Sequence, residues 1–147
     1  MIRSLEARDS AAWRELFRAY GVFYETDFTE EVLDRVWAIV QRDELVHALV
    51  SEVDDVVVGF AHYRYHPDTF SGGWDWFLDD LYVSPDARGS GSATALIEKL
   101  GELARERGQP GTLRWITAAD NVRAQRVYDR VATKATWVTY EIQLGSD

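Results

Sequence analysis

The spacing of apolar residues changes after residue 41, and this change restricts the chain to a mixed α/β fold. Up to that point apolar side chains recur every three or four residues, the period of an amphipathic helix. One helix is predicted after a cap at Asp9 or Ser10, ending at Gly21, and a second from about Thr29 to Gln41. The first has the apolar stripe Trp13, Leu16, Phe17 and Tyr20.

From Leu45 onward the chain is rich in β-branched and aromatic residues, which favour strands. The first strands follow one another closely, with Asp54-Asp55 as a tight turn, and later strands alternate with helices. This order predicts one α/β domain over residues 1–147, built on a central, partly antiparallel sheet. Strands are predicted at Ile2–Leu5, 45–53, 56–65, 74–83, 113–117 and 137–144, and the later helices near Gly91 and over Asn121–Arg130.

The residue composition excludes several kinds of chemistry. The chain has no cysteine, so disulfides, thiolate metal sites and a cysteine acyl intermediate are ruled out. His47, His62 and His66 lack the spacing of a metal site, so no metal is predicted. We expect His62 and His66 on the surface or in loops.

The net charge of −9 opposes binding to nucleic acid or to acidic membranes, and no run of Lys or Arg offsets it. No apolar run approaches the roughly 18 residues of a membrane span, and the first residues lack the apolar stretch of a signal peptide. A cytoplasmic protein with a cationic partner is therefore expected.

A glycine-rich turn joins the strand ending at Val83 to the helix that begins near Gly91. The first amides of a helix have no internal partner, so such a turn is an anion site, and Gly89 and Gly91 admit a bulky phosphate. No lysine follows Gly91, which excludes a nucleotide P-loop. Thr94 stands where a dinucleotide motif needs its third glycine.

Three motifs in register resemble those of the GNAT family of N-acetyltransferases. Arg88-Gly89-Ser90-Gly91-Ser92-Ala93 is similar to its R/Q-x-x-G-x-G/A pyrophosphate motif. Leu78-Asp79-Asp80-Leu81-Tyr82-Val83-Ser84-Pro85 resembles the strand before that motif, and Asn121 to Tyr128 resembles its N-x-x-A-x-x-x-Y helix. The resemblance implies a central mixed, mostly antiparallel sheet flanked by about four helices, with a splayed cleft for an acyl-CoA.

The resemblance also implies how acetyl-CoA, as the acyl donor, is held. The amides of residues 88–93 would bind the pyrophosphate, and the backbone of Leu81, Tyr82 and Val83 would pair with the pantetheine arm. Asn121 would contact the pantetheine or adenylate region, or serve only as a helix cap. Ser92 replaces the family's usual aliphatic residue, so a loosely packed helix start is expected.

Tyr128 would protonate the leaving thiolate, unless it is a buried helix tyrosine. Asp79 or Asp80 would accept the proton of the amine, directly or through water, although adjacent strand residues point to opposite faces unless a bulge intervenes. The Leu-Asp-Asp-Leu-Tyr-Val stretch is similar to that of polyamine, diamine and thialysine acetyltransferases, whose proton acceptor corresponds to Asp79. The alternative is a structural pairing of Asp79 with Arg64.

The acceptor is expected to be the primary amine of a small cationic molecule, namely a diamine, polyamine or lysine-like amino acid. Tyr24, Glu25 and Asp27 follow the first helix and mix an aromatic ring with carboxylates, a combination that binds cations. The alternatives are a peptide or protein amine, an aminoglycoside-like amine, and an acyl-CoA-binding sensor with little turnover. By resemblance a homodimer is expected, with the apolar segment 137–144 as a candidate exchanged strand.

Overall fold

The computed structural model describes residues 1–145, which form two compact units, one of residues 1–116 and one from Thr117 onward. The first unit contains five strands and three helices, and the second contains one helix. In chain order the elements are β1 (Ile2–Ser4), α1 (Ser10–Phe23), α2 (Glu30–Arg42), β2 (His47–Val53), β3 (Val56–Pro67), β4 (Trp74–Val83), α3 (Ser92–Arg107), β5 (Gly111–Arg114) and α4 (Val122–Val131).

One sheet with the strand order β1-β2-β3-β4-β5 organises the first unit. The first four strands pair antiparallel, and only β4 and β5 pair in parallel. Asp54 and Asp55 form the tight turn between β2 and β3, both with positive φ angles of 50° and 64°. The prediction of a mixed, mostly antiparallel sheet with four helices is confirmed.

Helices α1 and α2 cover one face of the sheet and form the main core there. Thr29 caps α2 by accepting a hydrogen bond from the amide of Val32 at 3.2 Å. Burial of each large apolar side chain contributes about 1.5–3 kcal/mol. The core side chains on this face are Trp13, Leu16, Phe17, Leu33, Val40, Ala48, Val50 and Phe60.

Gly21 does not end α1 as predicted, because the helix continues to Phe23. The residue serves close packing instead: a Cβ at Gly21 would lie 2.6 Å from the ring of Phe28. The ring of Phe28 stacks in turn on Phe17, with centroids 4.7 Å apart. This glycine therefore brings the chain after α1 back onto the core.

Helix α3 covers the opposite face of the sheet, where Leu96, Ile97 and Leu100 are buried. Its amphipathic spacing agrees with the prediction, but β5 spans Gly111–Arg114, earlier than the predicted 113–117. Within residues 1–145 no helix is long and apolar enough to cross a bilayer.

The predicted final strand at 137–144 is wrong, since residues 133–144 have no regular secondary structure. Trp137, Tyr140 and Leu144 are 83%, 90% and 92% exposed. Alternating apolar residues favour a strand only where a neighbouring strand supplies hydrogen bonds, and no strand among residues 1–145 does so here.

Candidate active site

A β-bulge in β4 places two adjacent carboxylates on the same face of the sheet. His62 of β3 pairs with Asp80, but the next residue, Tyr63, pairs with Leu78, so Asp79 is an extra residue in β4. Asp79 then contacts Arg64 and Asp80 contacts His62. Since residues 62 and 64 are two apart on one strand, both carboxylates lie on one face.

Asp80 accepts two hydrogen bonds from neighbouring side chains. The hydroxyl of Tyr20 donates to Oδ1 at 2.8 Å, and Nδ1 of His62 lies 2.9 Å from Oδ2. Burial alone would raise the pKa of Asp80, but the hydrogen bond and electrostatic attraction of His62, together with the hydrogen bond from Tyr20, outweigh it and hold the pKa below its usual value. Asp80 is therefore a carboxylate at neutral pH.

The expectation that His62 lies on the surface is wrong, because only 1% of it is exposed. Its ring packs among Phe60, Phe17 and Trp13, with centroids at 4.6, 5.3 and 6.0 Å. The sequence signal was present but unused, since the apolar Phe60 two residues earlier must share its face of the strand. His66, farther along β3, is exposed as expected.

Asp79 is in a different environment from Asp80, because it is paired with a cation. Nε of Arg64 lies 3.1 and 3.0 Å from its two carboxylate oxygens. The guanidinium also lies over the ring of Phe77, 4.6 Å from its centroid. The structural pairing of Asp79 with Arg64 is thus present, and the positive charge of Arg64 balances the negative charge of Asp79.

Aromatic side chains at the end of α1 lie close to Asp80. The ring of Tyr24 is 5.0 Å from that of Tyr20, whose hydroxyl bonds Asp80. Burial and the negative charge of Asp80 raise the pKa of Tyr24, so its phenol is neutral. Glu25 and Asp27 are exposed in the turn that follows, where Glu25 has a φ of 58°.

Tyr20 is a site residue that the sequence reasoning missed, because its helical spacing had assigned it to the apolar stripe. Tyr20 and Tyr24 are four residues apart and therefore share a helix face. That spacing, beside a predicted acceptor-binding turn, was the available signal.

The glycine turn leaves open space in front of the first amides of α3. Gly89 and Gly91 have φ angles of 88° and 81°, and a Cβ at either would meet no atom within 4 Å. Among residues 1–145 the amides of Gly89, Gly91, Ala93 and Thr94 have no hydrogen-bond acceptor. Open donors at a helix start fit a pyrophosphate group.

Ser92 fixes the start of α3 to the sheet. It is 5% exposed, and its hydroxyl accepts a hydrogen bond from Ser51 on β2 at 2.9 Å. The hydroxyl of Ser90 lies 2.8 Å away. The expected loose packing is therefore wrong, because a buried serine pair replaces the aliphatic contact.

The C-terminal half of β4 has an unpaired backbone edge. β5 pairs only with Trp74 to Phe77, so Leu78 to Val83 have a strand partner, β3, on one side alone within the described chain. Leu81, Tyr82 and Val83 lie in this segment, between the bulge and the glycine turn. An unpaired edge accepts an extended ligand by backbone hydrogen bonds.

The comparison with protein families agrees with this geometry. The model of the acetyltransferase (GNAT) family matches residues 11–132. The chain belongs to the GNAT family. It is accordingly an N-acetyltransferase, as the sequence motifs predicted.

Relatives of this GNAT protein act on amines of different kinds. It is 34% identical over 145 residues to the D-amino-acid N-acetyltransferase HPA3 of Saccharomyces cerevisiae, covering 96% of this chain and 89% of that one. It is 30% identical to the thialysine N-epsilon-acetyltransferase of Caenorhabditis elegans, over 69% and 65% of the two chains. A solved ribosomal-protein-alanine N-acetyltransferase from Brucella melitensis is 28% identical, with a TM-score of 0.81 and 99% of each chain covered.

The tyrosine-helix motif of this GNAT protein lies on α4, in the second unit. Asn121 caps the helix, since its Oδ1 accepts a hydrogen bond from the amide of Ala124 at 3.2 Å. Tyr128 lies one turn before the end of the helix, and its carbonyl accepts from the amide of Ala132. The roles of Asn121 and Tyr128 toward acetyl-CoA stay predictions.

Proposed function

We propose that this GNAT protein transfers the acetyl group of acetyl-CoA directly to the primary amine of a small cationic acceptor. The observation that carries the proposal is Asp80. Its carboxylate is ionised, no Lys or Arg within residues 1–145 pairs with it, and it lies beside the unpaired edge of β4.

Two features support acetyl-CoA as the acyl donor, which supplies an already activated thioester. The glycine turn offers backbone donors for the pyrophosphate, from Arg88 to Ala93. The free edge at Leu81 to Val83 offers backbone partners for the pantetheine arm. The glycine turn follows the free edge of β4 directly in the sequence, so one extended ligand could contact both.

The amine reaches the site mostly as its ammonium, because a primary amine has a pKa near 10.4. Asp80 suits the role of anchor and proton acceptor better than Asp79, whose charge Arg64 already matches. The neutral amine attacks the thioester carbonyl, the C–S bond of the tetrahedral intermediate breaks, and the second N–H proton passes to solvent, from which Tyr128 is reprotonated. Tyr128 donates a proton to the departing thiolate, and a backbone amide near Leu81 stabilises the oxyanion.

The acceptor is held by aromatic rings and carboxylates together. Tyr24 supplies a ring near Asp80, and Glu25 and Asp27 add negative charge in the adjoining turn. The names of the relatives, a D-amino-acid and a thialysine acetyltransferase, also favour small amines. The Brucella structure keeps a peptide amine as the second candidate.

Product analysis by mass spectrometry tests this proposal. Lysine and thialysine, in D and L forms, are compared with norleucine, which keeps the α-amine but lacks the second ammonium group. Diamines are compared with monoamines of equal length, and a short alanine-terminated peptide is included. We expect acetylation of the compounds with two ammonium groups to exceed that of their partners with one ammonium group at least tenfold. Equal rates within each pair, or acetylation of the peptide alone, would contradict the cationic acceptor.

The remaining assignments concern the domain organisation, the oligomeric state, the location and the absence of other partners. A single domain over residues 1–147 is favoured because the family match spans 11–132 and so includes parts of both units. A homodimer is favoured by the exposed apolar side chains of 137–144, and light scattering would measure it. A cytoplasmic location and the absence of metal, nucleic-acid and membrane partners stay predictions.

A further inference from the structure

A chain of three side chains joins the first helix to the candidate site. Nε1 of Trp13 donates to Nε2 of His62 at 2.9 Å, and Nδ1 of His62 lies 2.9 Å from Oδ2 of Asp80. Trp13 is fully buried and His62 is nearly so. Neither Trp13 nor His62 takes part in the chemistry described above, yet His62 bonds the carboxylate of Asp80 and Trp13 bonds His62.

Trp13 determines which nitrogen of His62 carries the proton. An indole N–H is a donor only, so Nε2 must present its lone pair and the ring proton must be on Nδ1. That proton is donated to Asp80. Both ring nitrogens are thus engaged, and protonating Nε2 would place two N–H groups against each other in a buried site.

The surroundings of His62 contain few groups that could change this state. From α1 it faces Trp13 and Phe17, and from β3 it faces Phe60. From β4 it faces Asp80. Of these neighbours only Asp80 is an ionisable group. The anion of Asp80 favours a charged ring, whereas the apolar surroundings and the Trp13 bond oppose it.

We propose that His62, locked by Trp13 in its Nδ1–H tautomer, is a positioning residue that holds Asp80 as an oriented anion for the acceptor's ammonium group. His62 passes no proton itself. Tyr20 and His62 each take one lone pair of the carboxylate, and the others stay available to the acceptor. The link to an acceptor rests on the proposed function, whereas the lock itself does not.

The lock has a direct signature in nitrogen NMR, which needs no substrate. The chain has three histidines, so ¹⁵N-histidine labelling gives the signals of three imidazoles. The signal that disappears in the His62→Asn variant is that of His62. We expect the His62 imidazole to show the pattern of the Nδ1–H tautomer, with Nε2 unprotonated. An Nε2–H pattern would overturn the proposal.

Kinetics of four variants test the positioning role. His62→Leu removes the donor to Asp80, and Trp13→Phe releases Nε2. Both should raise the KM for the amine about tenfold and leave the KM for acetyl-CoA unchanged. His62→Asn keeps an N–H near the Nδ1 position and should retain most of the amine affinity. Trp37→Phe is the matched packing control, because that ring lies 5.3 Å from Trp13.

The outcomes separate the lock from the proposed function. The positioning role would be overturned if His62→Leu kept the wild-type KM for the amine. It would also be overturned if Trp37→Phe raised that KM as much as Trp13→Phe. If a folded Trp13→Phe loses the Nδ1–H pattern of His62 while Trp37→Phe keeps it, the lock is supported independently of any kinetic effect. A locked His62 in a protein that acetylates no amine would contradict the proposed function only.

Discussion

Oδ2 of Asp80 lies 2.9 Å from Nδ1 of His62, across the two central strands β3 and β4. The neighbouring Asp79 points to the same face but pairs with the guanidinium of Arg64. The bulge between them therefore yields two adjacent carboxylates of unequal character. The charge of Asp79 is matched by Arg64, whereas Asp80 is bonded by His62 and Tyr20 and pairs with no Lys or Arg in the part of the chain that the structure describes.

This inequality predicts different effects for two conservative substitutions. Asp80→Asn removes the uncompensated charge and should raise the KM for a cationic amine by about tenfold to a hundredfold. Asp79→Asn is the matched control and should change it less than about threefold. Steady-state kinetics with the amine as variable substrate measure both. A larger loss in Asp79→Asn would assign the acceptor site to Asp79 instead.

Tyr128→Phe should lower turnover about a hundredfold, because the leaving thiolate loses its proton donor. Acetyl-CoA binding should stay within about twofold, since the phenol ring is preserved. Turnover is measured with saturating substrates and binding by calorimetry. Unchanged turnover would exclude Tyr128 as the acid.

Gly91→Val should weaken acetyl-CoA binding at least tenfold, since a branched side chain blocks the open turn and strains a φ of 81°. Gly72→Val, in the loop between β3 and β4, is the matched control. It has a φ of 78° and equally open space, so it carries the same strain outside the turn. Calorimetric titration compares the two, and an equal loss in both would contradict the turn as the pyrophosphate site.

Arg3 should be important for stability. Its guanidinium donates to both oxygens of Asp9, at 2.8 and 2.9 Å, and lies 3.3 Å from Glu52. Asp9 is only 4% exposed, and this bonding lowers its pKa. Arg3→Leu leaves that charge unpaired and should reduce the free energy of unfolding by about 3 kcal/mol. Urea unfolding measures it, with the exposed Arg8→Leu as a control that should have little effect; equal losses would contradict this role.

Stability should also fall at high pH because of Tyr63. Burial raises the pKa of Tyr63 to about 12, with smaller effects of the nearby Asp43 and Tyr65. In the unfolded chain the phenol of Tyr63 ionises at about pH 10. The contribution of the buried, protonated phenol to the free energy of unfolding is therefore complete below that pH and is lost between about pH 10 and 12. Unfolding of wild type and Tyr63→Phe across this range measures it. Parallel pH curves would contradict the prediction.

Local patterns predicted the elements well, because helix and strand periods and the Asp54-Asp55 turn depend on near neighbours. The extra residue at Asp79 depends on how β3 and β4 pair, which no local pattern specifies. The hydrogen bond between His62 and Trp13 likewise depends on a distant helix, although the alternation with Phe60 was a local signal for the burial of His62. The error at 137–144 has the same origin, since an apolar alternation contains no information on its partner.

The open glycine turn was predictable because it needs only a strand end, two glycines and a helix start. The role of Ser92 was not, because its partner Ser51 is 41 residues earlier and is brought near only by the sheet. Residues that act through distant partners are thus the ones that sequence reasoning missed.

Release of free coenzyme A from acetyl-CoA, followed with a thiol reagent, tests the central claim most directly. The protein has no cysteine and therefore adds no thiol signal of its own. The account predicts release that depends on a cationic amine, saturates with it and is lost in Asp80→Asn at low amine concentration. Tight acetyl-CoA binding without release, across polyamines, lysine analogues, neutral amino acids, aminoglycosides and peptides, would contradict it and favour an acyl-CoA sensor.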